Sequence, residues 1–203
     1  MNTLRADLAI IKNWITPGSR LLDLGCGDGT LLRLLRDERQ VTGYGLEIEP
    51  DNIIQCVKGG INVMQFDLDA GLPDFETQSF DYVIMTQTLQ AMSDPDHLLA
   101  EMLRVGREGI VTLPNFGYWR NRLQIGLHGT MPKSRALPAE WYNTSNIHLC
   151  TLDDFEQLCA QRNITILERC VVDYTHRVRA GIRFLPNLFG EIALYRCQRG
   201  PAS

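Results

Sequence analysis

A run of alternating glycines is the feature of this sequence that most directly suggests chemistry. The stretch 21–29 reads LLDLGCGDG, in which an apolar run breaks into Gly25, Gly27 and Gly29, and a leucine-rich run typical of a helix follows. Glycine allows positive φ and a close backbone approach to a ligand, and a helix start presents free N–H groups. The stretch therefore predicts a loop for a nucleotide-like cofactor. The dinucleotide fingerprint G-x-G-x-x-G is not met, because Thr30 stands at its third glycine.

Three acidic residues lie at or near the ends of predicted strands. Asp23 lies just before the glycines. Glu47 lies 20 residues after Gly27, and Asp67 ends a third apolar segment. Because an open parallel sheet binds its ligand along the carboxyl ends of its strands, we expect these acids at one edge. The Glu47 carboxylate can accept hydrogen bonds from the two vicinal hydroxyls of a ribose. Taken by itself, Glu47 is explained equally well as a solvated carboxylate at a strand end.

Hydrophobic periodicity predicts helices and strands in alternation. A first helix, capped by Thr3, is expected to reach Trp14, and a capping box that begins at Thr151 opens the last helix. The other predicted helices are at 30–37, 50–58 and 95–105, and the strands after the first are at 41–47, 61–66, 80–85, 109–113, 164–172 and 192–197. This alternation predicts an α/β fold with a mostly parallel sheet of seven strands flanked by helices. The last two strands are expected to form an antiparallel pair at one edge.

Composition limits the classes of protein to consider. The chain has 203 residues, of which 44% are hydrophobic and 22% charged, as expected for one globular domain over 1–203. A net charge of −4 and a pI near 5.6 weigh against nucleic-acid binding. The local basic cluster of Arg177, Arg179 and Arg183 is better explained as a solvated face.

The lack of targeting segments and the spacing of the cysteines limit the location and the kinds of site to expect. The sequence has no apolar run long enough for a membrane helix and no secretory segment at its start, so we expect a cytoplasmic protein that does not bind membranes. The six cysteines show no C-x-x-C spacing, and neither a metal site nor a disulfide framework is expected.

The segment from about 114 to 150, between the fifth strand and the last helix, is too long for a plain connection. Its aromatic residues and arginines suggest that it caps the cofactor, receives an acceptor substrate or binds a partner protein. A lid of packed aromatic side chains over the sheet is an alternative of similar weight. If the insert is an interface, we expect Trp119, Arg120, Arg122 and Trp141 to contribute to docking.

The glycine loop and the acid ahead of it resemble motif I of the class I S-adenosylmethionine-dependent methyltransferase fold. Longer runs are similar to the methionine biosynthesis protein MetW family, over roughly residues 3–198. These runs are LLDLGCGDGTLL at 21–32, FDYVIMTQTLQA at 80–91, EMLRVGREGIV at 101–111, LPNFGYWRNRL at 113–123 and WYNTSNIHLCTLDDFE at 141–156. Ser145 stands where the family has proline, a difference that affects the rigidity of one turn and not the fold.

The resemblance implies a class I methyltransferase-like fold, S-adenosylmethionine or S-adenosylhomocysteine as cofactor, and an accessory role beside a homoserine O-acyltransferase. It also implies that Asp67 contacts the adenine amino group, with the Leu68 backbone beside it. The residues expected to bind the cofactor are Asp23, Gly25, Cys26, Gly27, Glu47, Ile48, Asp67, Leu68 and Gln87.

The catalytic residues cannot be identified from the sequence, and two candidates stand out. His148 lies in the polar insert and has the chemistry of a general base, although a histidine hydrogen-bonded to the loop backbone explains it better. The second candidate is Gln87. The sequence has no Asn-Pro-Pro-Tyr motif after Met85, as amide and adenine-amino methylases would show, and Gln87 and Thr88 stand there instead. Cys26 is a possible nucleophile, but a small buried side chain is the better interpretation.

Three functions remain open at this point. The first is an accessory protein that senses S-adenosylmethionine and supports or regulates homoserine acylation. The second is a small-molecule methyltransferase, for which the fold and the cofactor loop would be the same. The third is a nucleic-acid methyltransferase, which the acidic pI disfavours. The fold by itself does not choose among them.

Overall fold

One seven-stranded sheet is the frame on which the site residues are placed. The computed structural model describes residues 6–134, 136–173 and 180–200. The strands are β1 Arg20–Leu24, β2 Thr42–Glu47, β3 Val63–Gln65, β4 Phe80–Thr86, β5 Gly106–Pro114, β6 Ile164–Val172 and β7 Ile192–Arg199. Their order across the sheet is β3-β2-β1-β4-β5-β7-β6. β1 lies where the order reverses, and in open α/β sheets ligands bind in the crevice at the carboxyl end of such a strand.

Helices cover both faces of this sheet. They are α1 Ala6–Trp14, α2 Thr30–Arg39, α3 Pro50–Lys58, α4 Pro95–Val105, α5 Trp119–Leu123, α6 Leu152–Gln161, α7 Ala180–Phe184 and α8 Pro186–Phe189. Short 3₁₀ turns cover Leu68–Ala70 and Leu89–Ala91, and a π-helical turn, Gln124–His128, continues α5. The predicted helix at 95–105 and the capping box of Thr151 with Asp154 are confirmed.

Neighbouring residues of one strand contribute to two separate cores. Leu22 and Leu24 of β1 pack with buried residues of α4 and α6, whereas Leu21 packs with residues of α1 and α2. This is the alternation expected of a strand whose two faces are both covered.

The sheet runs parallel from β3 to β5 and then reverses. β7 pairs antiparallel with β5 on one side and with β6 on the other. The predicted antiparallel pair at one edge is therefore confirmed, with β7 inside the sheet and β6 at its border. Burial explains this order, because Ala193, Leu194 and Tyr195 of β7 are fully buried, whereas most of β6 is partly or fully exposed.

Some sequence-based expectations fall beyond the part of the chain that the structure describes. The proposed helix cap at Thr3 and two members of the basic cluster, Arg177 and Arg179, lie outside the described residues. The third member, Arg183, is exposed at the end of α7. In the described ranges every helix is too short or too polar to cross a bilayer.

Asn115 fixes the point where the insert leaves the sheet. It directly follows β5, and its side chain is buried. Its amide nitrogen Nδ2 donates to the carbonyl oxygens of Asn187, at 2.9 Å, and Gly190, at 2.8 Å. Its Oδ1 accepts a hydrogen bond of 2.9 Å from the Gly117 N–H. One side chain therefore ties the start of the insert to both ends of α8.

Replacing Asn115 by aspartate should destabilise the fold strongly. A carboxylate cannot donate to the two carbonyls, so both would be left without a donor beside a buried negative charge. We expect a loss of roughly 2–4 kcal/mol in the free energy of unfolding, measured by urea denaturation at pH 7. Asn62→Asp, at an exposed position, is the matched control. Equal stability of the two variants would contradict this role for Asn115.

Candidate functional site

The glycine loop closes against the end of the neighbouring strand. The N–H groups of Gly25 and Cys26 donate to the Leu46 carbonyl of β2, at 2.9 and 3.1 Å. Gly25 has a φ of 74°, and a Cβ there would lie 2.6 Å from the Thr88 hydroxyl oxygen. Gly27 has a φ of 55°, and no atom lies within 4 Å of where its Cβ would be. The loop is thus packed on one side at Gly25 and open at Gly27, where a ligand can approach the backbone.

Glu47 is the acidic residue that meets this loop. Its side chain is buried, and its Oε2 accepts a hydrogen bond of 2.8 Å from the Gly27 N–H. Its Oε1 accepts from the N–H groups of Ile48, at 2.8 Å, and Glu49, at 3.0 Å. Since each carboxylate oxygen has two lone pairs, Oε2 retains capacity for one more donor. The structure thus brings together Gly27, Glu47 and Ile48, three of the residues predicted from the sequence.

Asp23 is an ionisable group buried directly beneath the loop. It is 1% exposed and lies in register with Gly45 of β2 and Ile84 of β4. Among the described residues, none donates a hydrogen bond to its Oδ1. Burial, and secondarily the charge of Glu47, raises the pKa of Asp23 to about 7. An acceptor of this kind favours a ligand that carries a positive charge or a hydrogen-bond donor.

Asp67 and Leu68 lie after the end of β3, which pairs with β2. Leu68 is buried and begins a 3₁₀ turn. The Asp67 side chain is exposed and accepts a hydrogen bond of 3.0 Å from the Asp69 N–H, so it caps this turn. The Phe66 N–H donates to the Glu47 carbonyl at 2.9 Å. Asp67 therefore follows, in the chain, a residue that is hydrogen-bonded to the end of β2. Its carboxylate is directed at its own turn.

Gln87 lies in the turn that follows β4 and has a positive φ of 55°, which is uncommon for a residue with a side chain. Its N–H donates to the carbonyl and the hydroxyl of Thr112, at 2.9 and 3.1 Å. Its carbonyl accepts a hydrogen bond of 2.8 Å from Gln90 Nε2. The backbone of Gln87 is therefore held by three hydrogen bonds at the carboxyl end of β4.

Sequence reasoning missed Gln90. It is 5% exposed, and its Oε1 is buried without a donor from the described residues. The main-chain carbonyl of Gln90 accepts a hydrogen bond of 2.9 Å from the His148 N–H. Gln90 lies in the run at 80–91 that resembles the family, but only the tertiary contacts identify it as a buried polar residue.

His148 meets the strand ends through its main chain. The residue is exposed, and no described residue makes a hydrogen bond with its imidazole ring. It lines an apolar cavity of about 170 Å³ together with Leu89, Gln90, Leu113 and Phe155. His148 is hydrogen-bonded to backbone, as the sequence suggested, through its own main-chain N–H, which donates to the Gln90 carbonyl at 2.9 Å. The cavity is large enough for only a small, mainly apolar group.

Cys26 has a partner that the sequence did not indicate. Its Sγ lies 3.8 Å from Sγ of Cys56 on α3, and both side chains are buried. The Cys56 thiol donates to the Gly27 carbonyl at 3.2 Å. Burial raises the pKa of both thiols, and the charge of Asp23 adds to this effect. The interpretation of Cys26 as a small buried side chain agrees with this geometry, because a protonated thiol is a poor nucleophile at neutral pH.

The four insert residues expected at an interface have different surroundings. Arg122 Nε donates to the Gly117 carbonyl at 2.5 Å, so its guanidinium supports the insert's own fold. The Arg120 guanidinium lies 5.4 Å from the centre of the half-buried Trp119 ring. Trp141 is 74% exposed. In the described ranges no cluster of three or more His, Cys, Asp or Glu side chains is arranged to hold a metal ion.

Comparison with known proteins adds family information to this geometry. The model of the family described as "Methionine biosynthesis protein MetW" matches residues 5–197. The chain is 37% identical over 206 residues to the bifunctional methionine biosynthesis protein MetXA/MetW of Rhodopirellula baltica. That match covers 97% of this chain but 33% of the relative. Other relatives, among them a ubiquinone biosynthesis O-methyltransferase of Hahella chejuensis, are likewise longer, with 28–47% of their length spanned.

Solved structures confirm the predicted class I methyltransferase-like fold. An S-adenosylmethionine-dependent methyltransferase from Mesorhizobium loti superposes with a TM-score of 0.70 at 18% identity, covering 96% of this chain and 98% of that one. The [4+2]-cyclase SpnF superposes with a TM-score of 0.66 at 16% identity, covering 97% and 80%. At these identities the likeness shows the fold and leaves the reaction open.

The buried Asp23 carboxyl should make stability fall as pH rises. Its pKa in the folded protein is raised from the ordinary 3.8 to about 7, so between these values the unfolded chain ionises while the folded protein keeps the proton. Folding therefore becomes less favourable through this window, by on the order of a few kcal/mol, and the penalty is complete above about pH 7.

The Asp23→Asn variant should lack this slope, because its amide does not titrate. Free energies of unfolding from urea titrations at pH 5 and pH 7.5 would compare it with the wild type. Asp51→Asn, at an exposed position on α3, is the control and should keep the wild-type slope. Parallel pH profiles for the wild type and Asp23→Asn would refute the buried, protonated state.

Proposed function

Since this chain belongs to the methionine biosynthesis protein MetW family, we propose that it binds S-adenosylmethionine or S-adenosylhomocysteine and supports or regulates a homoserine O-acyltransferase, with the cytoplasm as its location. Membership of the family gives the role in methionine biosynthesis. The proposed partner rests on one observation. In the relative from Rhodopirellula baltica, a segment similar to this chain occupies one third of a protein named MetXA/MetW. Two activities joined in one polypeptide are expected to work next to each other.

The proposed cofactor fits the residues at the carboxyl end of β1. The open position at Gly27 lets a ligand approach the backbone, and the spare lone pair of Glu47 Oε2 suits a ribose hydroxyl. The Asp23 Oδ1, which lacks a donor among the described residues, suits the ammonium group of the methionine part. By resemblance to the family, Asp67 and Leu68 would contact the adenine. When bound, S-adenosylmethionine carries a methyl group activated for transfer.

Two features favour an accessory role over independent catalysis. His148, the candidate base, has an exposed ring that no described residue orients through a hydrogen bond. The backbone of Gln87 is held by Thr112 and Gln90, and this accounts for its unusual conformation without a role in chemistry. The fold is also found in the cyclase SpnF, so it does not imply methyl transfer.

A small-molecule methyltransferase is the alternative, and one observation favours it. The apolar cavity of about 170 Å³ beside Gln90 and His148 lies at the carboxyl ends of β4 and β5, where a small acceptor could be received. The buried Gln90 Oε1 could then accept a hydrogen bond from the substrate that receives the methyl group. In this case His148 would be the group to test as the base.

Replacing Glu47 by glutamine should weaken binding of S-adenosylhomocysteine by roughly tenfold to a hundredfold, because the amide nitrogen cannot accept a hydrogen bond from a hydroxyl. Isothermal titration calorimetry with the purified protein would measure the affinity. Glu49→Gln is the matched control, since Glu49 is exposed and its side chain makes no cap hydrogen bond. Equal affinity of wild type and Glu47→Gln would remove Glu47 from the binding site.

Adding this chain to a purified homoserine O-acyltransferase of the same organism should raise the rate of homoserine acylation, and S-adenosylmethionine should change that effect. No S-adenosylhomocysteine should be released above background when S-adenosylmethionine is incubated with homoserine, its acyl esters or cell extract. Chromatography of the products measures both the acylated homoserine and the S-adenosylhomocysteine released. Steady release of S-adenosylhomocysteine that is lost in His148→Ala or Gln87→Ala would instead establish the methyltransferase alternative.

A further inference from the structure

Large apolar side chains are exposed mainly on one part of the chain. Among the described residues, fifteen large hydrophobic side chains are exposed, and eight of them lie between positions 123 and 149. These eight are Leu123, Ile125, Leu127, Met131, Trp141, Tyr142, Ile147 and Leu149. Leu127 and Trp141 are each 74% exposed. Five of the eight, Met131, Trp141, Tyr142, Ile147 and Leu149, line one open cavity. A spatial concentration of this kind marks an interaction surface, because scattered single apolar residues are the normal case on a monomer.

The insert forms a groove rather than a loose chain. We call the open cavity of about 1050 Å³ between the π-helical turn and the segment 129–149 the insert groove. Gln124 Nε2 donates to the Met131 carbonyl at 3.1 Å, and its Oε1 accepts from the Lys133 N–H at 3.3 Å. The Trp141 and Tyr142 rings pack edge to face, with centres 5.7 Å apart. These contacts give the groove a defined shape.

The described residues that line the insert groove carry no unbalanced charge. Of the described residues that line it, only Lys133 and Glu140 are charged, and they form an ion pair with each other. A nucleic acid or an anionic metabolite would need a net positive lining, which the described residues of this groove do not provide. Exposed Trp and Tyr beside aliphatic side chains are the composition of protein interfaces, where such residues carry much of the binding energy.

We propose that the insert groove, which is lined by the exposed side chains of Met131 and Trp141, is the face on which a homoserine O-acyltransferase docks. This inference rests on the proposed function and adds the surface to it. The fusion in the Rhodopirellula baltica relative argues for this occupant, because the chain spans one third of that protein and the remainder is held beside it covalently. The docking residues differ from the sequence-based set. Trp141 is retained, whereas Arg122 supports the insert's own fold.

The test uses the full chain and the purified homoserine O-acyltransferase of the same organism, with binding measured by surface plasmon resonance. Met131→Asp and Trp141→Ala, both at exposed positions that line the groove, should each weaken binding by roughly tenfold or more. Val57→Asp is the matched control, because Val57 is 63% exposed on α3 and does not line the groove. It should bind as the wild type does. Unchanged calorimetric binding of S-adenosylhomocysteine shows that each variant is folded.

The possible failures are distinguishable. If the wild type binds the acyltransferase and both groove variants bind equally well, the groove is not the docking face, while the proposed function stands. If the wild type does not bind the acyltransferase, the proposed partner itself is wrong. If light scattering shows a dimer of this chain that Met131→Asp abolishes, the groove holds a second copy and the docking proposal is overturned.

Discussion

The hydrogen bond between the Gly27 N–H and Glu47 Oε2 joins the two parts of the chain on which the candidate site depends. It forms only because β1 and β2 are paired in a register that brings the loop after Leu24 beside the end of β2. The loop can close there because Gly25 and Gly27 adopt positive φ, and because Gly45 leaves room for Cys26. A Cβ on Gly45 would lie 2.2 Å from the Cys26 sulfur. The site is thus a product of strand pairing as much as of the glycine motif.

Buried charge is the other constraint at this edge. Asp23 and Glu47 carry carboxyl groups into a region with little water, and the protein satisfies them differently. Glu47 accepts three backbone hydrogen bonds, whereas Asp23 has its pKa raised by burial to about 7. The backbone therefore satisfies the Glu47 carboxyl, whereas Asp23 keeps a buried oxygen to which no described residue donates, and this favours a cation or a hydrogen-bond donor at that point.

Local sequence patterns predicted the parts of the structure that depend on local physics. Apolar runs located the strand ends, and the Thr151 capping box located the start of α6. The position of β7 inside the sheet could not be predicted, since it depends on which strand the rest of the protein buries. Cys56 and Gln90 were missed for a similar reason. Each is distant in sequence from the group it contacts at the site, Cys26 for one and His148 for the other.

The start of the insert and α8 share one attachment point, the side chain of Asn115. Because Asn115 holds both the first turn of the insert and α8 from a buried position, these segments cannot separate from the sheet one at a time. We therefore expect them to open as one cooperative unit, in which the amide protons near Asn115 exchange with solvent only when both segments open. Exposed residues of the insert such as Trp141 make none of these hydrogen bonds, so we expect their amides to exchange through smaller openings. The exposed apolar part of the insert can then change shape without loosening the attachment at Asn115.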